Sequence, residues 1–206
     1  MTKSFYIIDD HEMLRFGTSG WITSNSDWKC TGDAATHEAA LADFEKLAAT
    51  GTLPCVVICD INFYGENTGL EFIKKLLELY PGLKIIVYSM FFAADMVQSA
   101  IKNGAAGYVS KNAPSQELLA AMEKALAGEV FVQEELQPNL IKYNKFTDAL
   151  TRREKEVMEL LLQRNSNDEI ANQLGIKKRA VENYISLIYE KTGVNDRNEL
   201  IERYGN

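Results

Sequence analysis

Sulfur and imidazole are scarce in this 206-residue chain, with three cysteines (Cys30, Cys55, Cys59) and two histidines (His11, His37). An odd cysteine count, with Cys55 and Cys59 flanking the apolar run Val56-Val57-Ile58, argues against a disulfide framework and suits buried free thiols. A zinc site needs about four Cys or His ligands at short spacings, and no such cluster is present. Long apolar runs are missing too. None approaches the roughly 20 residues that span a bilayer, and Met1-Thr2-Lys3-Ser4-Phe5-Tyr6-Ile7-Ile8 breaks into Asp9-Asp10 before a signal-peptide core forms. The chain is therefore expected to be cytoplasmic, with no membrane partner. Positive charge is not in excess. Residues 1–146 carry 12 Lys and Arg against 18 Asp and Glu, and residues 147–206 carry 10 against 11, giving −6 and −1. Neither half is a basic body that announces nucleic acid by composition, so DNA binding has to come from local placement of charge.

What is present is an ordinary folding composition, 46% apolar and 25% charged, long enough for one large domain or two small ones. Apolar runs bounded by turn signals predict buried parallel strands at Phe5 to Ile8, Val56 to Cys59, Ile85 to Tyr88 and Tyr108 to Val109, with a weaker strand near Trp28 to Thr31. Between them, apolar residues at spacings of three and four predict helices over Glu12 to Ser24, His37 to Ala48, Leu70 to Leu79, Ala94 to Asn103 and Ser115 to Ala127. Five alternations of strand and helix favour an α/β fold with a doubly wound, five-stranded parallel sheet. After Gly128 the pattern weakens, and residues 128–146 read as a linker with one short helical piece. The remainder is helical, with four short amphipathic helices over Leu150 to Gln163, Asn167 to Leu174, Lys178 to Lys191 and Arg197 to Tyr204. The expected organisation is therefore a sheet domain over 1–127, the linker, and an all-α domain over 147–206.

In a parallel sheet, ligands bind beyond the carboxyl ends of the strands. Asp9 and Asp10 end the first strand, Asp60 ends the third, Ser89 follows the fourth and Lys111 follows the fifth, so five polar groups converge on one edge. Three neighbouring carboxylates repel one another unless a cation sits among them, and oxygen ligands with open positions suit magnesium. A cation beside Asp60 would also favour attack of that carboxylate on a phosphoryl group, with Lys111 and Ser89 meeting the phosphoryl oxygens. Any one of these residues alone reads better as a solvated strand end. The set of five does not.

Residues 5 to 127 resemble the receiver domain of bacterial two-component response regulators at Ile7-Ile8-Asp9-Asp10-His11, Val57-Ile58-Cys59-Asp60, Val87-Tyr88-Ser89 and Gly104-Ala105-Ala106-Gly107-Tyr108-Val109-Ser110-Lys111. The resemblance implies a flavodoxin-like fold and makes Asp60 the phosphoacceptor for a sensor histidine kinase. It implies a magnesium ion held by Asp9, Asp10, Asp60 and the backbone carbonyl of Asn62, with Ser89 and Tyr108 as switch residues. The chain departs from the family after the acceptor, where Ile61-Asn62-Phe63-Tyr64-Gly65-Glu66-Asn67 lacks the usual Met-Pro, and again at the bulky Met90-Phe91-Phe92.

In the helical half, Thr151 lies three residues before Glu154, the spacing of a capping box. Asn167 to Leu174, the turn at Gly175-Ile176 and the helix from Lys178 have the form of a helix-turn-helix unit. On its second helix Val181, Tyr184, Ile185 and Ile188 form the apolar stripe, while Arg179, Glu182, Asn183 and Ser186 occupy the other face. An acidic helical bundle that binds protein is the competing reading. Residues 149 to 204 resemble the LuxR-type DNA-binding domain at Leu150-Thr151-Arg152-Arg153-Glu154, Asn167-Asp168-Glu169-Ile170-Ala171, Ala180-Val181-Glu182-Asn183-Tyr184 and Lys191-Thr192-Gly193-Val194. Together the two resemblances have the order of the NarL/FixJ class. They imply a homodimer when active, double-stranded DNA as partner, and Lys178, Arg179, Glu182, Asn183 and Lys191 as DNA contacts. Glu182 stands where the family often has lysine, and a glutamate accepts from a cytosine amino group.

The expected function is a transcription factor, not a turnover enzyme, switched by phosphorylation of Asp60. The alternative keeps DNA binding but uses the receiver for dimerisation or ligand sensing without phosphate. An aspartyl phosphatase would need a second acid two residues after the nucleophile, and that place is Asn62.

Overall fold

The computed structural model describes residues 3–62, 69–91, 93–137 and 147–204. The strands are β1 (Ser4–Ile8), β2 (Lys29–Ala34), β3 (Val56–Cys59), β4 (Lys84–Ser89), β5 (Gly107–Ser110) and β6 (Phe131–Val132). They form one sheet in the order β2-β1-β3-β4-β5-β6, with every pair parallel. The intervening helices are α1 (Glu12–Asn25), α2 (His37–Ala49), α3 (Gly69–Leu79), α4 (Ala94–Lys102) and α5 (Ser115–Leu126).

The central strands are continuous apolar runs because both of their faces are covered. Phe5 and Ile7 join Ile22 of α1 and Leu118, Ala121 and Met122 of α5 in one core, together with Val56, Ile58, Ile86 and Val109. On the opposite face the Tyr6 ring packs 5.1 Å from that of Phe44 in α2. Edge strand β2 alternates exposed and half-buried residues before a buried Ala34, so the sequence marks it only weakly. It nevertheless runs three residues beyond the expected Thr31.

One expectation needs correction, because the sheet has six strands and not five. The added strand, β6, pairs Phe131 with Gly107 and Val132 with Tyr108. Two residues carry no periodicity, so a strand this short is invisible to pattern reading. It lies in the stretch read as linker, as does the short 3-10 turn Glu134–Leu136. Pro138 and the rest of that stretch to residue 146 lie outside the described residues, as do Phe63, Tyr64 and Phe92.

The chain divides into two units, residues 1–90 with 99–133, and residues 91–98 with 134–206. In the second, the helices are α6 (Arg152–Leu162), α7 (Asn167–Leu174), α8 (Lys178–Thr192) and α9 (Arg197–Tyr204). Thr151 and Glu154 form the expected capping box, and Ser166 with Glu169 forms a second. Gly175 and Gly193 end α7 and α8 at φ 62° and 66°, the left-handed cap that glycine adopts without steric cost. Val157, Leu161, Ile170, Val181, Ile188 and Leu200 are its fully buried centre.

Candidate functional site

Asp9, Asp60 and Ser89 are all buried at the carboxyl edge of the sheet, where Lys111 follows β5, and Tyr108 is buried within β5. Parallel pairing sets this convergence, since Ile8 pairs with Cys59, and Ser89 pairs with Ser110. The Lys111 ammonium lies 2.7 Å from Asp9 Oδ2 and 2.5 Å from Asp60 Oδ2, bridging the two carboxylates. Burial works against its charge, but the hydrogen bonds to Asp60 and Asp9 prevail and hold it above the ordinary lysine value.

The other oxygen of Asp60, Oδ1, accepts from the backbone N–H groups of Ile61 at 2.6 Å and Asn62 at 3.1 Å. Both carboxylate oxygens are thus oriented, one by amides and one by an ammonium. Cys59 beside it is no competing nucleophile. Burial pushes its thiol far up, and the charges of Asp60 and Asp9 push it further.

Asp9, Asp10 and His11 present ligand atoms within 4.8 Å of one another. His11 Nδ1 lies 2.7 Å from Asp10 Oδ1 and its backbone N–H donates to Asp9 Oδ1 at 2.9 Å. The side-chain oxygen of Asn62 is buried without a hydrogen-bond partner among the described residues. The clustered carboxylate oxygens of Asp9 and Asp10 are a donor set that fits a hard divalent cation. Arg15 steadies this corner, donating to the Asp9 carbonyl at 2.8 Å and to Asp33 at 2.5 Å.

In the helical unit the apolar stripe of α8 is buried at Val181, Ile185 and Ile188 and half-buried at Tyr184. Arg179, Glu182, Asn183 and Ser186 are exposed on the other side, joined by Leu187. Lys178 reaches back to Asp168 at 2.8 Å, tying the first turn of α8 to the first turn of α7. Arg153 of α6 donates to the Leu174 carbonyl at 2.8 Å and so caps the end of α7. Lys191 stands apart from the other expected DNA contacts. Its ammonium meets both oxygens of Glu154, at 2.8 and 2.7 Å.

Comparison with known proteins meets this geometry from outside. Residues 5–123 match the family model described as response regulator receiver domain, and residues 148–203 match the one described as bacterial regulatory proteins, luxR family. The chain belongs to the response regulator family. The transcriptional regulatory protein DesR of Bacillus subtilis is 37% identical over 200 residues, which covers 97% of this chain and 95% of DesR. The nitrate/nitrite response regulator protein NarL of Escherichia coli K12 is 32% identical over 201 residues, covering 94% and 90%. RcsB of Salmonella enterica serovar Typhimurium, solved on a promoter with the phosphomimetic BeF3−, shares the fold with a TM-score of 0.72 at 22% identity over 98% of each chain.

This response regulator is a transcription factor of the NarL type. Response regulators interact with histidine kinases and are not metabolic enzymes, and receiver domains generally bind magnesium at an acidic pocket such as that of Asp9 and Asp10. No helix among the regulator's described residues is long and apolar enough to cross a membrane. Sequence reasoning passed over three residues that shape the receiver site. His11 was legible as the residue after the acid pair. Gly69, whose N–H donates to the Ile61 carbonyl at 3.1 Å, stands where a Cβ would lie 2.3 Å from Ile61 Cα. Gln133 bonds to β5 across 23 positions, which no local pattern signals.

Proposed function

We propose that this regulator accepts a phosphoryl group on Asp60 from a sensor histidine kinase in the cytoplasm and thereby controls its dimerisation and binding to specific DNA. The observation that carries the reading is the Lys111 bridge to Asp9 and Asp60, with Asp60 Oδ1 fixed by two backbone amides. Asp60 attacks the phosphorus of the donor as an ionised carboxylate; an O–P bond forms and the bond from phosphorus to the kinase imidazole breaks. Lys111 then turns from the carboxylate to a phosphoryl oxygen, and the Ser89 hydroxyl donates to another.

Asp9, Asp10, Asp60 and the Asn62 backbone carbonyl would hold magnesium, which supplies positive charge to the transferring oxygens when bound. Ser89 ends β4 and Tyr108 lies within β5, so a changed contact at the phosphoryl group reaches both strands directly. Tyr108 is already fully buried. In the output domain, exposed Arg179, Glu182 and Asn183, with Lys178 beside them, offer α8 to the major groove. Positive charge at the start of α8 suits phosphates, whereas Glu182 and Asn183 suit base edges, cytosine and adenine respectively.

The test is intact mass after incubation with a small phosphodonor and magnesium, for the native chain and Asp60→Asn, followed by DNA titration of both. One phosphoryl adduct that requires Asp60 and tightens DNA binding is the expected result. A folded native chain that takes no adduct, yet binds DNA, overturns the reading in favour of a phosphate-independent regulator.

A further inference from the structure

The last buried polar side chain of the sheet unit is Gln133, just past β6 and ten residues beyond the end of the receiver match. Strand β5 is flanked on one side by β4, and the Lys111 N–H donates to the Ser89 carbonyl at 2.9 Å on that side. Parallel strands send successive N–H groups to opposite neighbours, so the Ser110 N–H points the other way, towards β6. There the Phe131 N–H donates to the Ala106 carbonyl at 3.0 Å and the Gln133 N–H to the Tyr108 carbonyl at 3.3 Å. The chain then turns away into Glu134–Leu136, and the bond that the Ser110 N–H makes on this side goes to a side chain.

The Gln133 side chain fills that place. Its Oε1 accepts the Ser110 N–H at 3.0 Å, in a bond buried on both sides. A buried amide with no acceptor is costly, so β5 would loosen at its carboxyl end without this bond. Lys111, the residue after Ser110, is the one whose ammonium must meet Asp9 and Asp60 within hydrogen-bond distance.

We infer that Gln133 is a positioning residue for phosphoryl acceptance, so that the working receiver of this chain ends at Gln133 and includes β6. It acts through Ser110 on Lys111 and touches no reacting atom. The inference rests on the reading of Asp60 as acceptor.

The test uses the full chain with Gln133→Met, which keeps the length and removes the acceptor, and Gln133→Glu, which restores one. Adduct formation with a small phosphodonor and magnesium is followed as a function of donor concentration, beside thermal unfolding and amide exchange at Ser110. Gln133→Met is expected to slow the saturated rate about five- to tenfold with little change in half-saturation, and to speed exchange at Ser110 at least about tenfold. Gln133→Glu is expected within about twofold of native in both. A Gln133→Met chain that phosphorylates at the native rate, or a Gln133→Glu chain as slow as Gln133→Met, overturns the inference. A native chain that takes no adduct overturns the acceptor reading and the kinetic claim with it, while Ser110 exchange still decides whether Gln133 caps β5.

Discussion

Lys191 and Glu154 face each other across the helical unit, with the ammonium 2.8 and 2.7 Å from the two carboxylate oxygens and the Glu154 side chain only 3% exposed. The pair joins the start of α6 to the end of α8, and Glu154 also closes the capping box with Thr151. Burial works against the charge of this carboxyl, but Lys191 and Thr151 outweigh it and hold Glu154 below the usual carboxylate range.

Lys191→Ala is therefore expected to destabilise the helical unit by about 2 kcal/mol, because a buried carboxylate loses its partner. Its DNA affinity should fall because α8 is less well seated, with the slope of log affinity against log salt unchanged. A phosphate contact would instead reduce that slope by about 1. The folded-state value of Glu154 is depressed, so its contribution is present at neutral pH and drains as pH falls through the carboxylate range. Denaturant melts of the native chain and Lys191→Ala should converge at acid pH, and parallel curves would sink the assignment.

Lys111 bridges Asp9 and Asp60 from a side chain 4% exposed. Replacing it with methionine leaves two buried carboxylates facing each other, at a cost of about 3 kcal/mol in the presence of a chelator. Saturating magnesium should narrow the gap between Lys111→Met and the native chain, since the cation takes over the neutralisation. The ammonium value is raised above 10.5, so its contribution is fully present below that pH and is lost only as pH rises through the higher folded value. A gap that magnesium leaves unaltered would show that the acids do not hold the ion.

The strand ends that carry Asp9, Asp60, Ser89 and Lys111 were legible because a buried parallel strand is an apolar run that stops abruptly at a polar residue. The helix stops at Gly175 and Gly193 and the cap at Thr151 were legible for the same local reason. Ser166 and Glu169 repeat that capping signature three residues apart and were open to the same reading. The Lys191 pairing was not legible, because its partner lies 37 positions away and the resemblance offered Lys191 only as a DNA contact. Strand β6 and Gln133 failed for want of length, since two strand residues and one side chain make no period.

His37 of α2 stacks on Phe72 of α3 with ring centroids 4.1 Å apart and planes 9° from parallel. Burial pushes its imidazole below the ordinary value of 6.5, with Glu38 opposing. The unfolded chain therefore binds the proton first. Stability is complete above 6.5 and falls as pH drops below it towards the lower folded value. His37→Phe keeps the stack and removes the proton, so its unfolding free energy should fall less steeply than that of the native chain on going below 6.5. Equal slopes in urea titrations at both ends of that window would show that His37 is not a source of acid sensitivity.

Gly69 opens α3 against the turn that follows Asp60, close enough that a Cβ would lie 2.3 Å from Ile61 Cα and 2.8 Å from Ile61 O. These are backbone atoms, so no rotamer change relieves the clash and the turn itself has to move. The same turn supplies the Ile61 and Asn62 amides that orient Asp60 Oδ1. Gly69→Ala is expected to cost about 3 kcal/mol and to slow adduct formation on Asp60 beyond what the loss of folded protein explains. Gly82→Ala is the control, because a Cβ there meets nothing within 4 Å. It should leave stability and adduct rate within experimental error of native. Calorimetry and single-turnover phosphorylation on both variants decide the matter, and a Gly69→Ala chain that matches the control in both would show that the close approach does not set the acceptor geometry.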